Sequence, residues 1–445
     1  MKFDVIIVGA GPAGLFAAIE LNLKKPSLNI VLIEKGKRVK ERSDIMCGVG
    51  GSGTFSDGKL HFSPVLSHGK LFEWYSEKEV EELCDYIDKI FTDFGVNAEY
   101  FPKDKEKTEE LVAFCRKQGV NLIPRRLRHV GSDILPKIIE NIENYLINKK
   151  INIYTETTVQ DIIIENNQII GVTTDKGDMF ADYIIMAPGR VNAVWMQKLA
   201  SFHGLQYNFE EAEVGVRVEF PSSVMKEYSD LMYEAIFLIH TDTFDDVVRT
   251  FCPCPNGFVA TEDYEGYKCV NGHSNSNHNS ENSNFALLSK VNLTEPVTNS
   301  ISYAKSIAQL ANTIGGGKPI IQRFKDLKRA RRSTWKRISK SYVNPSLKEV
   351  TPGDLSMALP YRVVKNIIEG LEKLGKVMPG IDSDETLLYG PEIKLRTSKI
   401  KTNKLMETEI KNLFVAGDGP GVSGNITGAA VTGVLAARGI LAKPF

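Results

Sequence analysis

Apolar positions along this chain follow two rhythms, and the changes between them mark the elements. Asp4-Val-Ile-Ile-Val8 is a short β-branched run of the kind buried on both faces of a parallel sheet. Residues 15–23 then take helical spacing, and 29–33 predict a second strand. One-faced apolar patterns predict helices over 77–94, 107–118 and 133–148. A strand at 151–155 is followed by two alternating strands, 159–164 and 168–174, around an Asn-Asn turn, and by a buried strand starting at Tyr183. Val214-Gly-Val-Arg-Val-Glu-Phe220 opens a series of short strands reaching Val270, with helical segments after it at 300–314 and 361–374. The chain closes on an apolar strand from Asn412 and a small-residue helix over 429–441.

The first strand runs directly into Gly9-Ala-Gly11-Pro12-Ala13-Gly14. In this arrangement Gly9 permits the turn, Gly11 lets a pyrophosphate approach the backbone, and Gly14 lets helix and strand pack closely. The helix start supplies amides and partial positive charge. The second strand delivers Glu34 twenty residues after Gly14, where a carboxylate can accept hydrogen bonds from ribose hydroxyls and disfavours a 2′-phosphate. Strand, turn, helix, strand and acid in register predict a dinucleotide site, without separating NAD from FAD.

The other end of the chain bears on that choice. Asn412-Leu-Phe-Val-Ala-Gly417-Asp418 precedes Gly419-Pro-Gly-Val-Ser-Gly424-Asn425-Ile426-Thr-Gly428 and the last helix. This resembles the C-terminal FAD signature of the glutathione-reductase-like flavoproteins. The resemblance implies that Asp418 holds the ribitol chain and that the helix N-terminus faces the flavin pyrimidine ring, where reduction adds negative charge. Ala187-Pro-Gly189 stands where many members have Ala-Thr-Gly.

Between these ends, Cys47-Gly-Val-Gly50-Gly51-Ser52-Gly-Thr-Phe-Ser-Asp57-Gly-Lys59-Leu60 follows the Glu34 strand, where the family places a loop under the flavin and pyrophosphate. Gly53 to Lys59 also fits G-x-x-x-x-G-K, but Leu60 replaces the Ser or Thr and no strand precedes it, so a Walker A site is not expected. Cys47 lacks a partner four or five residues on, which disfavours the dithiol chemistry of disulfide reductases. Together with Thr250-Phe-Cys-Pro-Cys-Pro-Asn-Gly257 and Val350-Thr-Pro-Gly-Asp-Leu355, the loop resembles a family of bacterial FAD-dependent dehydrogenases, within the broader "NAD(FAD)-utilising dehydrogenases". The likeness spans nearly the whole chain.

The resemblance implies an α/β protein. Its Rossmann-like FAD-binding domain, a parallel sheet plus β-meander, is assembled from 1–65, 125–195 and 385–445. A helical insertion occupies 66–124, and an α+β substrate or cap domain occupies 200–384. FAD is the expected cofactor. Its expected contacts are Gly9, Gly11, Pro12, Ala13, Gly14, Glu34, Lys35, Gly50, Gly51, Ser52, Asp57, Val159, Ala187, Gly189, Gly417, Asp418, Gly424, Asn425 and Ile426. The expected reaction is hydride exchange between flavin N5 and an organic substrate. The alternatives are a flavoprotein acting on a macromolecule such as tRNA and a non-catalytic flavin redox sensor. For proton transfer the candidates are Asp57, Lys59 and His61, and none is singled out as catalytic.

Composition narrows the partners. Lys+Arg and Asp+Glu both number 55 among 445 residues, so the molecule as a whole has no pull toward nucleic acid or an anionic membrane. No apolar run reaches the roughly 20 residues of a membrane span, and the start has no signal-peptide pattern, so a cytoplasmic location is expected. Six scattered cysteines predict no disulfide framework. Cys252, Cys254, Cys269 and His273 cluster, but C-x-C is tighter than usual zinc spacing and no metal is expected. Residues 323–340 carry nine basic side chains against one acid, Asp326, read as a solvated face or an anionic-substrate bed before a nucleic-acid surface. A second glycine fingerprint is missing, since Ile314-Gly-Gly-Gly-Lys318 has the wrong spacing, so NAD(P)H is expected only as a transient visitor. The polar stretch 271–284 reads as a surface loop.

Overall fold

The apolar run at the start of the chain lies in the middle of a sheet. In the computed structural model, which describes residues 2–56, 58–64, 71–209, 212–264, 266–274, 279–291, 293, 300–395 and 398–444, the strand Lys2–Val8 pairs in parallel with Ile30–Ile33 on one side and Gly177–Met186 on the other. Asn152–Tyr154 extends this parallel array beyond Ile30–Ile33, and Leu413–Val415 pairs in parallel with Gly177–Met186. In register, Val8 stands opposite Ile33 and Met186, and Met186 opposite Val415, so four strands end along one edge. In open parallel sheets ligands bind outside that edge.

Gly177–Met186 does two jobs. Its first half closes an antiparallel meander with Gln168–Thr174 and Val159–Glu165, and its second half is a strand of the parallel array. The buried strand expected from Tyr183 is thus the continuation of the meander. It ends at Met186, leaving Ala187 to Gly189 as a loop.

The helices Pro12–Lys24 and Ile426–Leu441 pack on each other through small residues. A Cβ on Gly433 would stand 2.0 Å from the Ala13 carbonyl oxygen. Phe16, fully buried, meets Phe91 of the helix Glu77–Asp93 at 4.8 Å between ring centroids.

The chain divides into two units: Met1–Tyr100, Arg126–Glu210 and Thr397–Phe445 form the first, and Phe101–Arg125 and Glu211–Arg396 the second. Two boundaries differ from the sequence reading. The stretch 66–124 is no single insertion, because Glu77–Asp93 belongs to the first unit while Lys105–Lys117 and the strand Val120–Pro124 belong to the second. Val120–Pro124 is an edge strand of the second unit's sheet, paired with Ala235–His240. The segment from 385 is likewise divided. Leu387–Leu395 is an interior strand of that sheet, between Ile320–Arg323 and Ala212–Pro221, although Pro391 within it argues for a loop. The register shifts at this point, opposite Gly215 and Arg217, and a bulge accommodates the proline.

The second unit's sheet has the order Thr351–Pro352, Ile320–Arg323, Leu387–Leu395, Ala212–Pro221, Asn282–Val291, Val247–Cys254, Ala235–His240 and Val120–Pro124. Val214, Val216, Val218 and Phe220 share an apolar core with residues of the helices Ser300–Gly315 and Tyr361–Leu374. The alternate positions, Glu213, Arg217 and Glu219, are also buried.

The basic run at 323–340 is partly interior. Asp326, fully buried, accepts from Arg323 Nε at 3.1 Å, Arg331 Nε at 2.7 Å and Ser333 Oγ at 2.8 Å. Asp384 pairs with Lys325 at 2.8 Å and Lys328 at 3.2 Å. Burial alone would raise the Asp326 pKa, but the bonds from Arg323, Ser333 and Arg331 outweigh it and hold the carboxyl below its usual value. Stability from this group is therefore complete above the unfolded value near pH ~4 and disappears as pH falls through the lower folded value. Asp326→Asn should cost about 1.5–3 kcal/mol at pH 7, read from the urea midpoint, because it takes the charged acceptor from Arg323, Arg331 and Ser333. The gap from wild type should shrink below pH ~4, and an unchanged gap contradicts the assignment.

Candidate functional site

The site is built where the parallel strands end. Gly9 follows the first strand at φ 97°, and a Cβ there would stand 2.2 Å from the Ala187 carbonyl oxygen. A Cβ on Gly14 would stand 2.0 Å from the Gly9 carbonyl oxygen, which gives the third glycine its packing role. The helix Pro12–Lys24 begins with Gly11 at the N-cap and no side-chain cap, so its first amides are left for a ligand.

Glu34 ties this turn to the next loop. Its carboxylate is 7% exposed and accepts from the Ala10 amide at 2.9 Å and from the Gly36 amide at 2.8 Å. Cys47 Sγ also donates to Oε1, at 4.0 Å, and with about four acceptor positions on a carboxylate, Oε2 keeps capacity for a hydroxyl donor. The Ala10 carbonyl in turn accepts from the Gly50 amide at 2.8 Å. Arg42 holds the loop that follows, donating to the carbonyls of Asp44, Ile45, Val49 and Gly51 at 2.8–3.2 Å. Gly51 thereby faces Gly11 closely enough that a Cβ on it would lie 3.3 Å from the Gly11 Cα.

These loops enclose a cavity of about 430 Å³. Of the residues expected from sequence, Gly9, Gly11, Glu34, Lys35, Gly51, Ser52, Val159, Ala187 and Gly189 line it. Met46, Cys47, Gly48, Thr157, Thr158, Gln160, Pro188, Arg190, Asn192 and Trp195 also line it. Of these, Thr157 to Gln160 flank Val159, and Pro188 to Asn192 continue the Ala187 turn, so neighbourhood in sequence was their signal. Trp195 comes from the following helix, Ala193–Phe202, and gave none; its indole donates to the Gln160 carbonyl at 3.3 Å. Burial, and then the Glu34 charge, pushes the Cys47 thiol up, away from thiolate chemistry.

Pro12, Ala13, Gly14 and Gly50 are not in that lining; Ala13, Gly14 and Gly50 are buried and Pro12 is half-buried. Gly417, Asp418, Gly424, Asn425 and Ile426 form a second cluster in the same unit. Asp418 accepts from Arg190 at 2.8 Å and from Ser423 Oγ at 2.5 Å. Asn425 caps the last helix, its Oδ1 accepting from the Gly428 amide at 2.6 Å. A Cβ on Gly53 would meet Ile426 Cγ1 at 2.7 Å, so the glycine loop and this helix start are packed together. Asp57 lies outside the described residues. Lys59 and His61 lie on the strand Lys59–His61, paired with Leu127–His129, and Lys59 is buried.

The residues fit a dinucleotide. Asn425 Nδ2, Thr427 Oγ1 and Thr54 Oγ1 are buried without a hydrogen-bond partner, which is costly unless a polar ligand meets them. A Cβ on Gly424 would touch nothing within 4 Å, so the chain is open there.

Comparison with known proteins agrees. A family model described as an FAD binding domain matches residues 4–56, and one described as "FAD-dependent protein, C-terminal domain-like" matches residues 211–395. An uncharacterized protein of Clostridium beijerinckii is 23% identical over 487 residues, covering 100% of this chain and 81% of the relative. An L-aspartate oxidase of Clostridium perfringens is 30% identical over 200 residues, 43% of either chain. A quinol fumarate reductase of E. coli superposes with TM-score 0.46 at 15% identity, over 99% of this chain and 70% of the other. The cofactor of this chain is FAD.

Two substitutions test the grip. Gly14→Ala drives a Cβ against the Gly9 carbonyl and should yield protein with little bound flavin. Glu34→Ala removes a charged acceptor, each bond to which is worth about 1.5–3 kcal/mol, so FAD affinity should fall roughly tenfold to a hundredfold. Flavin absorbance per chain after gel filtration reads both, and wild-type flavin content in either variant contradicts this geometry.

Proposed function

We propose that this chain, an FAD-dependent oxidoreductase, exchanges hydride between flavin N5 and a small organic substrate, with substrate selectivity residing in the second unit. The observation that carries the reading is the cavity at the strand ends, with Glu34 bridging the glycine turn and the loop beyond it. Bound FAD supplies the two-electron centre. The protein's share is position and electrostatics. Uncapped amides at the start of Pro12–Lys24 receive the pyrophosphate, and Glu34 receives ribose hydroxyls. Asp418, now paired with Arg190, takes the ribitol chain, and the start of Ile426–Leu441 stabilises charge at the flavin edge.

The likeness to NAD(FAD)-utilising dehydrogenases supports a nicotinamide that visits the flavin without a domain of its own. The L-aspartate oxidase relative supports including amino acids among trial donors. The deciding experiment is an anaerobic titration of the purified protein with NADH, NADPH and a panel of amino and hydroxy acids that includes L-aspartate. Bleaching of the visible flavin spectrum by at least one of them is expected. A flavin that stays oxidised with every donor, and reoxidises with no acceptor after chemical reduction, contradicts an oxidoreductase role.

A further inference from the structure

The second unit buries a polar cluster for which the hydride reading has no use. Arg217 is fully buried in the strand Ala212–Pro221. Its Nε donates to Asn284 Oδ1 at 2.7 Å, one terminal nitrogen to Glu392 Oε1 at 3.2 Å, and the other to the Cys252 carbonyl at 2.7 Å and to Cys254 Sγ at 3.2 Å. Such a network is expensive to desolvate where an apolar cluster would serve. Glu392 Oε2 and Asn284 Nδ2 remain buried without partners.

Around the guanidinium the backbone is contorted. The strand Val247–Cys254 loses register between Phe251 and Cys254, and Cys252 sits at φ 45°, a left-handed conformation uncommon for a side chain other than glycine. Cys254 Sγ lies 3.5 Å from the Cys252 carbonyl oxygen. In the hairpin strand Tyr267–His273, a Cβ on Gly272 would come 2.7 Å from Cys254 Sγ and 1.6 Å from an Arg217 nitrogen, so only glycine fits there. Of the two thiols, Cys252 is half-buried and Cys254 is buried. Cys269, also buried, is pushed up to about 12 by burial and is no nucleophile.

We propose that Cys252 and Cys254 are a redox-active dithiol that closes to an intramolecular disulfide by exchange with small-molecule disulfides. The Cys252 thiolate attacks one sulfur of the incoming disulfide, breaks its S–S bond and releases the other half as a thiolate. The Cys254 thiolate, stabilised by Arg217, then attacks the Cys252 sulfur and expels the second half. Two cysteine thiols are oxidised, one disulfide is reduced to two thiols, and the two cysteine protons end on the departing sulfurs. Arg217 is a positioning residue in this scheme. The inference is independent of the flavin reading.

The test equilibrates the full-length protein, with its flavin, in buffers of graded reduced to oxidised glutathione, then quenches with acid, alkylates and digests it. The peptide holding both cysteines should pass from doubly alkylated to unalkylated and two hydrogens lighter as the buffer becomes oxidising. In Cys254→Ser the reaction should stop at a glutathione adduct on Cys252. In Arg217→Lys bridge closure should slow at least severalfold, with the adduct accumulating. Double alkylation of wild type at every ratio, or a wild-type adduct that never resolves to the bridge, overturns the proposal. The wild-type result decides by itself if a variant fails to fold.

Discussion

Glu34 stands where three loops must be held at fixed distances. Its carboxylate takes the Ala10 amide at 2.9 Å from the glycine turn and the Gly36 amide at 2.8 Å from the loop after its own strand. The backbone of Glu34 pairs as well, its amide with the Tyr154 carbonyl and its carbonyl with the Thr157 amide. One buried residue thus fixes the turn, the glycine loop and the segment 154–157 relative to the strand ends. A carboxylate at 7% exposure has lost most of its water, and the two amides take the place of that hydration. The same acid organises the walls of the cavity around it.

The two units use buried charge differently. In the first, Glu34 lies against a cavity, with acceptor capacity turned toward it. In the second, Arg217 lies within a sheet, surrounded by Asn284, Glu392 and a strained Cys-Pro-Cys segment. Desolvation opposes both arrangements, so each needs a dense set of partners. Asp326 is the structural counterpart: it gathers Arg323, Arg331 and Ser333 and draws much of a conspicuous basic run inward.

Much of the first unit was legible in the sequence because its signals are local. β-branched runs mark parallel strands, and glycine spacing marks a turn that only glycine can make, as the Gly9 and Gly14 contacts bear out. Partnership across long stretches of chain was less legible. The one-faced patterns at Glu77–Asp93 and Lys105–Lys117 show that each helix buries a side, but not that the two belong to different units. Pro391 hides the strand Leu387–Leu395, since a proline inside a sheet is tolerated only where a bulge removes the ladder bond it cannot make. Arg217 and Glu219 alternate with valines as on a strand with one wet face, yet both faces are buried. Trp195 reaches the cavity from a helix with no motif of its own.

The central claim is that the strand-end cavity and the last helix start hold one FAD. The most direct measurement is release of the bound flavin from freshly purified protein by acid, followed by chromatographic identification and counting per chain. The account predicts FAD at close to one per polypeptide, freed without proteolysis. Protein that carries no flavin and takes up none when FAD is added, or that retains only a mononucleotide, contradicts it.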